Sequence, residues 1–121
     1  MIDRSTLVKD WGKDHFVFNN SSTIIRRLEI NKGGLSTFGK FHRHRHKYNR
    51  FFVESGQIKV IELIRNGETE KERVNIIGDG QPYRKYDVFP GIRHRFEALE
   101  DSIVYEIYWV FCDGDDIVRE V

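Results

Sequence analysis

The chain has 121 residues, a length that suits one domain able to bury a sizeable core without disulfides. Its 20 basic and 19 acidic residues give a formal net charge of +1, so the overall charge is no argument for binding nucleic acid or an anionic membrane. Cys112 is the only cysteine, which excludes an intramolecular disulfide framework and is compatible with a reducing cytosol. We predict a cytoplasmic protein, because the first residues lack the pattern of a signal peptide and no apolar run approaches the roughly 20 residues that span a bilayer.

The hydrophobic pattern predicts short strands along most of the chain. Residues 1–14 are expected to form an N-terminal arm that anchors Trp11, residues 23–111 a barrel, and residues 112–121 a tail. The predicted strands cover residues 15–18, 23–30, 51–53, 58–64, 68–77, 83–89, 93–99 and 102–111. Turn residues recur about every eight to twelve positions, with no convincing helical period, which predicts an all-β sandwich or barrel in a single domain.

A stretch rich in histidine and basic residues runs from Phe41 to Arg50 and holds three of the five histidines. On a strand, alternate residues face the same side, so His42, His44 and His46 would project together, away from the basic residues between them. Imidazole is a common ligand for zinc, iron, nickel and copper, and two histidines at i and i+2 can both reach one ion. A solvated basic strand is the alternative, and the residues of this stretch alone favour neither reading.

Two spaced motifs carry a resemblance to a known family. His42-x-His44, followed by Asn49 and Gly56, resembles the first cupin motif, in which two histidines and a glutamate bind a metal and the glycine closes a hairpin. The segment 90–94, Pro-Gly-Ile-Arg-His, resembles the second cupin motif, whose histidine completes the site. The two motifs occur in the right order on an all-β pattern.

The resemblance to the cupin superfamily covers residues 24–111 and implies a double-stranded β-helix, or jelly-roll barrel, with a metal inside its mouth. Short segments resemble, more closely, the cupin domain of type II mannose-6-phosphate isomerases. They are residues 9–12, 26–30, 55–56, 94–97 and 115–119.

That closer resemblance implies four metal ligands, at His42, His44, Asn49 and His94. In that family a glutamine and a glutamate stand where this chain has His42 and Asn49. A neutral amide oxygen is a weaker ligand for a divalent ion than a carboxylate. Either the three histidines form the site with Asn49 as a weak fourth ligand or a supporting group, or metal binds poorly and the fold serves as a binding module. The implied cofactor is a divalent ion, with Zn, Fe, Mn and Ni left open.

An isomerase acting on a sugar or sugar-phosphate needs a base that moves a proton between neighbouring carbons. The candidate bases are His46, Glu62 and Glu106, and the sequence does not choose among them. A phosphate would also need cations. Arg26, on the apolar parity of its strand, and Arg93, beside the second motif, are the candidates for that role.

Two other functions remain open. Three histidines without a carboxylate resemble the iron sites of cupin thiol dioxygenases, whose open positions take substrate and oxygen. Asn49 in place of glutamate instead favours a non-catalytic cupin that binds a carbohydrate or another small ligand.

We also predict a homodimer, because a small jelly roll has open sheet edges that need covering or pairing, and the apolar outer residues of the last strand could supply a partner face. A nucleic-acid role is not expected. The basic residues at 43–50 lack an interleaved aromatic platform beyond Tyr48 and a matching basic face.

Overall fold

The computed structural model describes residues 6–36 and 40–110 of the chain. Nine β-strands lie within these residues. They are Thr6–Lys9 (β1), Gly12–Asn19 (β2), Thr23–Ile30 (β3), Lys47–Ser55 (β4), Gln57–Asn66 (β5), Thr69–Gly78 (β6), Lys85–Val88 (β7), Arg93–Ala98 (β8) and Ser102–Val110 (β9). No helix in the described ranges is long and apolar enough to cross a bilayer.

The strands form two antiparallel sheets. One sheet has six strands in the order β1-β2-β3-β9-β4-β7, and the other has three in the order β6-β5-β8. Strands that follow one another in sequence pair in the hairpins β1–β2, β2–β3 and β5–β6, whereas β9 lies between β3 and β4. The predicted all-β, single-domain architecture is confirmed.

The core lies between the sheets, because alternate residues of the strands point inward from both of them. The fully buried apolar side chains include Leu28, Phe51, Val53, Ile58, Val60 and Val104. Burying each of these side chains contributes about 1.5–3 kcal/mol. The period of two that predicted the strands is therefore the same period that builds the core.

The segment predicted as an N-terminal arm contains β1 and the start of β2, which form a hairpin at the edge of the six-stranded sheet. Gly12 follows the turn with a φ of 147°, and a Cβ added there would lie 1.8 Å from the carbonyl oxygen of Glu29. Glycine is required at that position. Trp11 is buried as expected, with its ring edge-on to Phe96 at a centroid distance of 5.6 Å.

The histidine stretch does not form the strand on which the alternation of its side chains was argued. His42 forms only an isolated bridge with His94, and regular strand structure begins at Lys47. The backbone groups of the stretch bond to distant parts of the chain: His42 N donates to His94 O at 3.0 Å, and Gly91 N donates to His44 O at 2.7 Å. These contacts with β8 and the turn before it take the place of regular strand pairing, so His42, His44 and His46 do not lie together on one strand.

Some predictions fall on parts of the chain outside the described residues. The predicted tail at 112–121, with Cys112 and the segment 115–119, is one of them. Residues 37–39, just before the histidine stretch, are another. The boundaries at 14, 23 and 111 stay predictions.

Candidate metal centre

Three histidines meet between the two sheets. His42 lies in the segment that bridges β8, His44 follows two residues later, and His94 lies on β8 with its side chain facing inward. One ligand nitrogen from each of the three lies within 4.8 Å of the others. The ring centroids of His42 and His94 are 4.2 Å apart, and that of His44 lies 5.3 Å from His42 and 5.5 Å from His94.

Several buried polar atoms of this cluster make no hydrogen bond within the described residues. They are His42 Nδ1, His44 Nε2 and Asn49 Oδ1. A buried polar atom without a partner costs about 1–3 kcal/mol, and native structures tolerate few of them. A metal ion would give the two histidine nitrogens the partner that the protein does not, so the residues present fit a metal ion.

The pKa values of the histidines favour the form that binds metal. Burial, together with the neighbouring His94 and His44, lowers the pKa of His42 to about 4. Burial also lowers the pKa of His44, as it does that of His94, where the carbonyl of Ile92 opposes the effect. Near neutral pH the imidazoles are therefore uncharged, and a neutral ring nitrogen is what a metal ion requires.

A hydrogen bond orients His94. Its Nδ1 lies 3.0 Å from the carbonyl oxygen of Ile92. A carbonyl oxygen only accepts, so Nδ1 carries the proton and Nε2 keeps its lone pair, which is how metal-binding histidines are commonly held.

Asn49 lies at the position predicted for the fourth ligand. Its side chain is fully buried on β4, with Nδ2 at 3.3 Å from His94 Nε2 and 3.5 Å from Glu106 Oε2. The amide nitrogen and oxygen are nearly interchangeable in shape, so rotating the amide by half a turn would bring Oδ1 to the histidine side. Asn49 can therefore offer an oxygen to a metal held by the histidines.

The cluster adjoins a cavity of about 480 Å³. His42 forms part of its wall, and Trp11, Leu28 and Phe96 form an apolar side. The other polar residues of the wall are Lys9, Asp10, Asp14, Ser36, Glu106 and Tyr108. A cavity with apolar walls and a few polar groups is the usual arrangement of a small-molecule site.

Glu106 is a buried carboxyl group in this wall, 7% exposed, on the inward face of β9. Burial raises its pKa to about 7, while hydrogen bonds with Tyr108 and Asn49 oppose the rise. A group with that pKa can both accept and donate a proton near neutral pH.

Tyr108 was not predicted as a site residue. Its ring lies edge-on to His44 with centroids 4.9 Å apart. Burial and the Glu106 carboxylate raise its pKa well above the ordinary value, so its hydroxyl stays protonated. The alternation along β9 places Tyr108 on the same face as Glu106, a signal that the sequence already contained.

Arg26 lies near the cavity but is engaged in an ion pair. Its Nη1 donates to Asp14 Oδ1 at 3.1 Å, and it is the register neighbour of Glu106 on β9. The predicted inward parity of Arg26 is confirmed. The residue that pairs with it, Asp14, was not singled out from the sequence.

Glu62 faces inward on β5, opposite His94 in register, and is 2% exposed. Its carboxylate accepts hydrogen bonds from the hydroxyl of Tyr86 and from Arg73 Nη2, the latter at 2.9 Å. These partners hold Glu62 behind the histidine cluster as a supporting carboxylate.

Two predicted residues are not brought to the cavity. His46 is exposed. It follows His42 and His44, the residues whose backbones bond to β8 and to the turn before it. Arg93 points to the outer face of the small sheet, where it pairs with Glu70, because His94 beside it on the strand points inward. The parity shared with His42 and His44 suggested His46, and its place beside the second motif suggested Arg93, which strand geometry separates from the site.

Two sheets that enclose a cavity, with a histidine cluster between them, define a cupin fold with a candidate metal site. No family model and no curated protein matches the chain. Solved structures do match it at low sequence identity, and they show the fold alone. The predicted cupin jelly roll is thereby confirmed.

KdgF from Halomonas sp. is 18% identical with a TM-score of 0.61, over 89% of this chain and 88% of that one. The cupin domain of Cnp3 from Schizosaccharomyces pombe is 16% identical with a TM-score of 0.57, over 82% of this chain and 64% of that one. Oxalate decarboxylase from Bacillus subtilis, a protein with Mn(II) centres, is 14% identical with a TM-score of 0.68. The match covers 89% of this chain but 27% of the decarboxylase. The closer resemblance to mannose-6-phosphate isomerases stays a prediction.

Proposed function

We propose that the protein is a metal-dependent cupin that acts on a sugar or sugar-phosphate as an aldose–ketose isomerase. One observation carries the proposal: three clustered histidines, two of them with an unpaired buried ring nitrogen, adjoin a cavity that contains a buried carboxyl group, Glu106. The resemblance to sugar isomerases names the substrate class.

His42, His44 and His94 would hold the ion, with Asn49 beside them as a weak fourth donor. A bound divalent ion supplies a Lewis acid that polarises a carbonyl or hydroxyl oxygen of the substrate. The identity of the ion is left among Zn, Fe, Mn and Ni, because histidine ligands suit several of them.

Glu106 is the base that the geometry favours. Its carboxylate takes the proton from C2 of the aldose and returns it to C1, and its pKa of about 7 suits both transfers. The second proton of the reaction moves from the hydroxyl oxygen on C2 to the oxygen on C1, and the Tyr108 hydroxyl lies beside Glu106 to relay it. His46 is exposed and Glu62 is held by Arg73, so neither is as well placed.

Metal content tests the first half of the proposal. We expect the purified protein to contain a stoichiometric transition metal by elemental analysis, and the His44→Ala variant to lose it. His46→Ala is the matched control and should retain the metal, because His46 lies outside the cluster. Equal metal content in the two variants would refute the assignment.

Proton exchange tests the second half. Aldoses and aldose phosphates are incubated with metal-loaded protein in D₂O, and loss of the C2 proton signal is followed by NMR. We expect exchange with the wild type and a drop of about 100-fold or more in Glu106→Gln. Glu97→Gln, on the outer face of β8, is the control and should keep the wild-type rate. An absence of exchange with every sugar tested would exclude isomerase activity.

A donor group made only of histidines also supports a second candidate, the three-histidine iron dioxygenase. Oxygen uptake with thiol substrates by protein isolated anaerobically with iron would favour it. The absence of both iron and oxygen uptake would exclude it.

The neutral Asn49 supports a third candidate, a cupin that binds a carbohydrate or small ligand without turnover. Sugar binding by calorimetry that persists when the metal is removed, together with no proton exchange, would favour this candidate over the isomerase.

A further inference from the structure

The cavity wall opposite His42 carries two buried carboxyl groups, Asp14 and Glu106. Arg26 lies between them: it pairs with Asp14 at 3.1 Å and is the register neighbour of Glu106. The strands β2, β3 and β9 all lie within the described residues. Arg26 is the only cationic residue at the inward-facing positions of these described strands. The largely buried cation beside these two carboxyl groups is therefore already matched by a carboxylate.

The ion pair is largely buried, so its charges strongly affect which ligands can bind in the cavity. The Asp14 side chain is 11% exposed and that of Arg26 is 30% exposed, so water screens them less than a surface pair. A phosphate brought into the cavity would meet two carboxyl groups and an arginine that is occupied, and like charges placed together oppose binding. Hydroxyl groups of a ligand would instead find acceptors in Asp14 and Glu106.

We infer that Asp14 is a specificity-determining residue: by pairing with Arg26 it excludes anionic groups from the inner cavity. This inference rests on the proposed function, since it assumes that the cavity is the ligand site. The inner cavity then holds the neutral, polyhydroxyl part of a sugar. A phosphate carried by that sugar stays outside the inner cavity, toward the exposed Lys9 and Asp10 of the wall.

The inference predicts that removing the charge of Asp14 converts the wall into an anion site. Asp14→Asn keeps the size of the side chain but releases the guanidinium of Arg26. The probe is inorganic phosphate, titrated by calorimetry into protein kept free of metal with a chelator, so that the ion itself cannot hold phosphate. We expect Asp14→Asn to bind phosphate at least about tenfold more tightly than the wild type.

Three further variants make the result specific. The double variant Asp14→Asn with Arg26→Gln should lose the gain, and Arg26→Gln alone should leave the wild-type phosphate affinity unchanged. Glu29→Gln is the matched control, because Glu29 pairs with His15 and Arg27 on the other face of β3. It should also leave phosphate binding unchanged.

Two results would overturn the inference: unchanged phosphate affinity in folded Asp14→Asn, or a wild-type phosphate site that Arg26→Gln removes. Far-UV circular dichroism checks folding, and Asp14→Ser repeats the test if Asp14→Asn does not fold. Metal content and C2 proton exchange are measured separately in the wild type. Either the exchange or the gain in phosphate binding can therefore fail while the other succeeds.

Discussion

At the scale of single residues, Asn49 determines the charge of the candidate metal site, because a carboxylate at this position would add one negative charge. Its amide occupies a fully buried position between His94 and Glu106, so a substitution there changes charge without exposing the side chain. Aspartate has nearly the same size as asparagine and adds one negative charge. The longer glutamate would also have to displace packed neighbours.

We therefore predict opposite effects of Asn49→Asp with and without metal. In metal-free protein the new carboxylate lies beside Glu106, and the free energy of unfolding should fall by about 1–3 kcal/mol. With metal, the added charge should tighten binding by at least about tenfold. Urea unfolding and competition with a chelator measure the two quantities.

The control for this prediction is Asn66→Asp, in the exposed hairpin turn between β5 and β6. It should change neither metal affinity nor stability by a measurable amount. Weaker metal binding in Asn49→Asp would mean that Asn49 does not face the ion.

At the scale of strands, alternation explains which site residues could be predicted. The parity of β3 places Arg26 inward, and the parity of β8 would have placed Arg93 outward had it been applied to that residue. Alternation could not predict which way the side chains of the histidine stretch point. The backbones of His42 and His44 bond to β8 and to Gly91, which lie about 50 residues away in the chain. Tyr108 shares the parity of Glu106, which the sequence shows, but placing Asp14 beside Arg26 needed the strand order, which sets β2 beside β3.

Two glycines separate the effect of backbone conformation from that of crowding. Gly56, between β4 and β5, has a φ of 84°, and a Cβ added there would lie 2.3 Å from Ser102 Oγ and 2.5 Å from the Asp101 carbonyl oxygen. Gly67, in the β5–β6 turn, has a φ of 66° with nothing within 4 Å of such a Cβ. We predict that Gly67→Ala costs about 1–2 kcal/mol of stability.

Gly56→Ala should cost clearly more, since Ser102 and the backbone of Asp101 must also shift. Chemical denaturation of both variants measures the difference. Equal costs would show that the β4–β5 turn relaxes without disturbing β9.

The pairing of β4 with β7 carries a pH-dependent contribution. Arg50 donates two hydrogen bonds to Asp87, at 2.6 and 2.8 Å, and this holds the pKa of the Asp87 carboxyl below its usual value. A lowered carboxyl pKa contributes stability above the unfolded-state pKa of about 4, and that stability is lost as the pH falls through the lower folded-state pKa.

Asp87→Asn should therefore destabilise the protein by about 1 kcal/mol at pH 7 and by much less once the pH is well below 4. Urea unfolding at several pH values checks this. Glu54→Gln is the control, because Glu54 is half exposed and lies 4.0 Å from Arg27. A difference between wild type and Asp87→Asn that stays constant with pH would contradict the prediction.

At the scale of the whole molecule, folding brings the site together from distant positions. Asn49 comes from β4, His94 from β8 and Glu106 from β9, so neither sheet contains the site by itself. Motif spacing could predict the histidines because a motif is local. The carboxyl groups and Tyr108 belong to the cavity wall, and only the closed arrangement of the sheets shows which of them share it.

The outer face of the six-stranded sheet is where we place the predicted homodimer contact. Ile103, Tyr105, Ile107 and Trp109 alternate with the inward residues of β9 and are partly exposed on this face. Phe52, paired with Tyr105 in register, is 40% exposed. Exposed aromatic and aliphatic side chains with arginines such as Arg27 and Arg50 beside them are typical of the composition of a protein interface.

We predict that the wild type has the mass of a dimer by light scattering at micromolar concentration, and that Phe52→Glu is monomeric, because it would bury a charge in the apolar contact. Ile76→Glu is the matched control: Ile76 is also 40% exposed but lies on the outer face of the small sheet, so this variant should remain dimeric. A monomeric wild type would refute the dimer. Dissociation by Ile76→Glu instead of Phe52→Glu would move the contact to the small sheet.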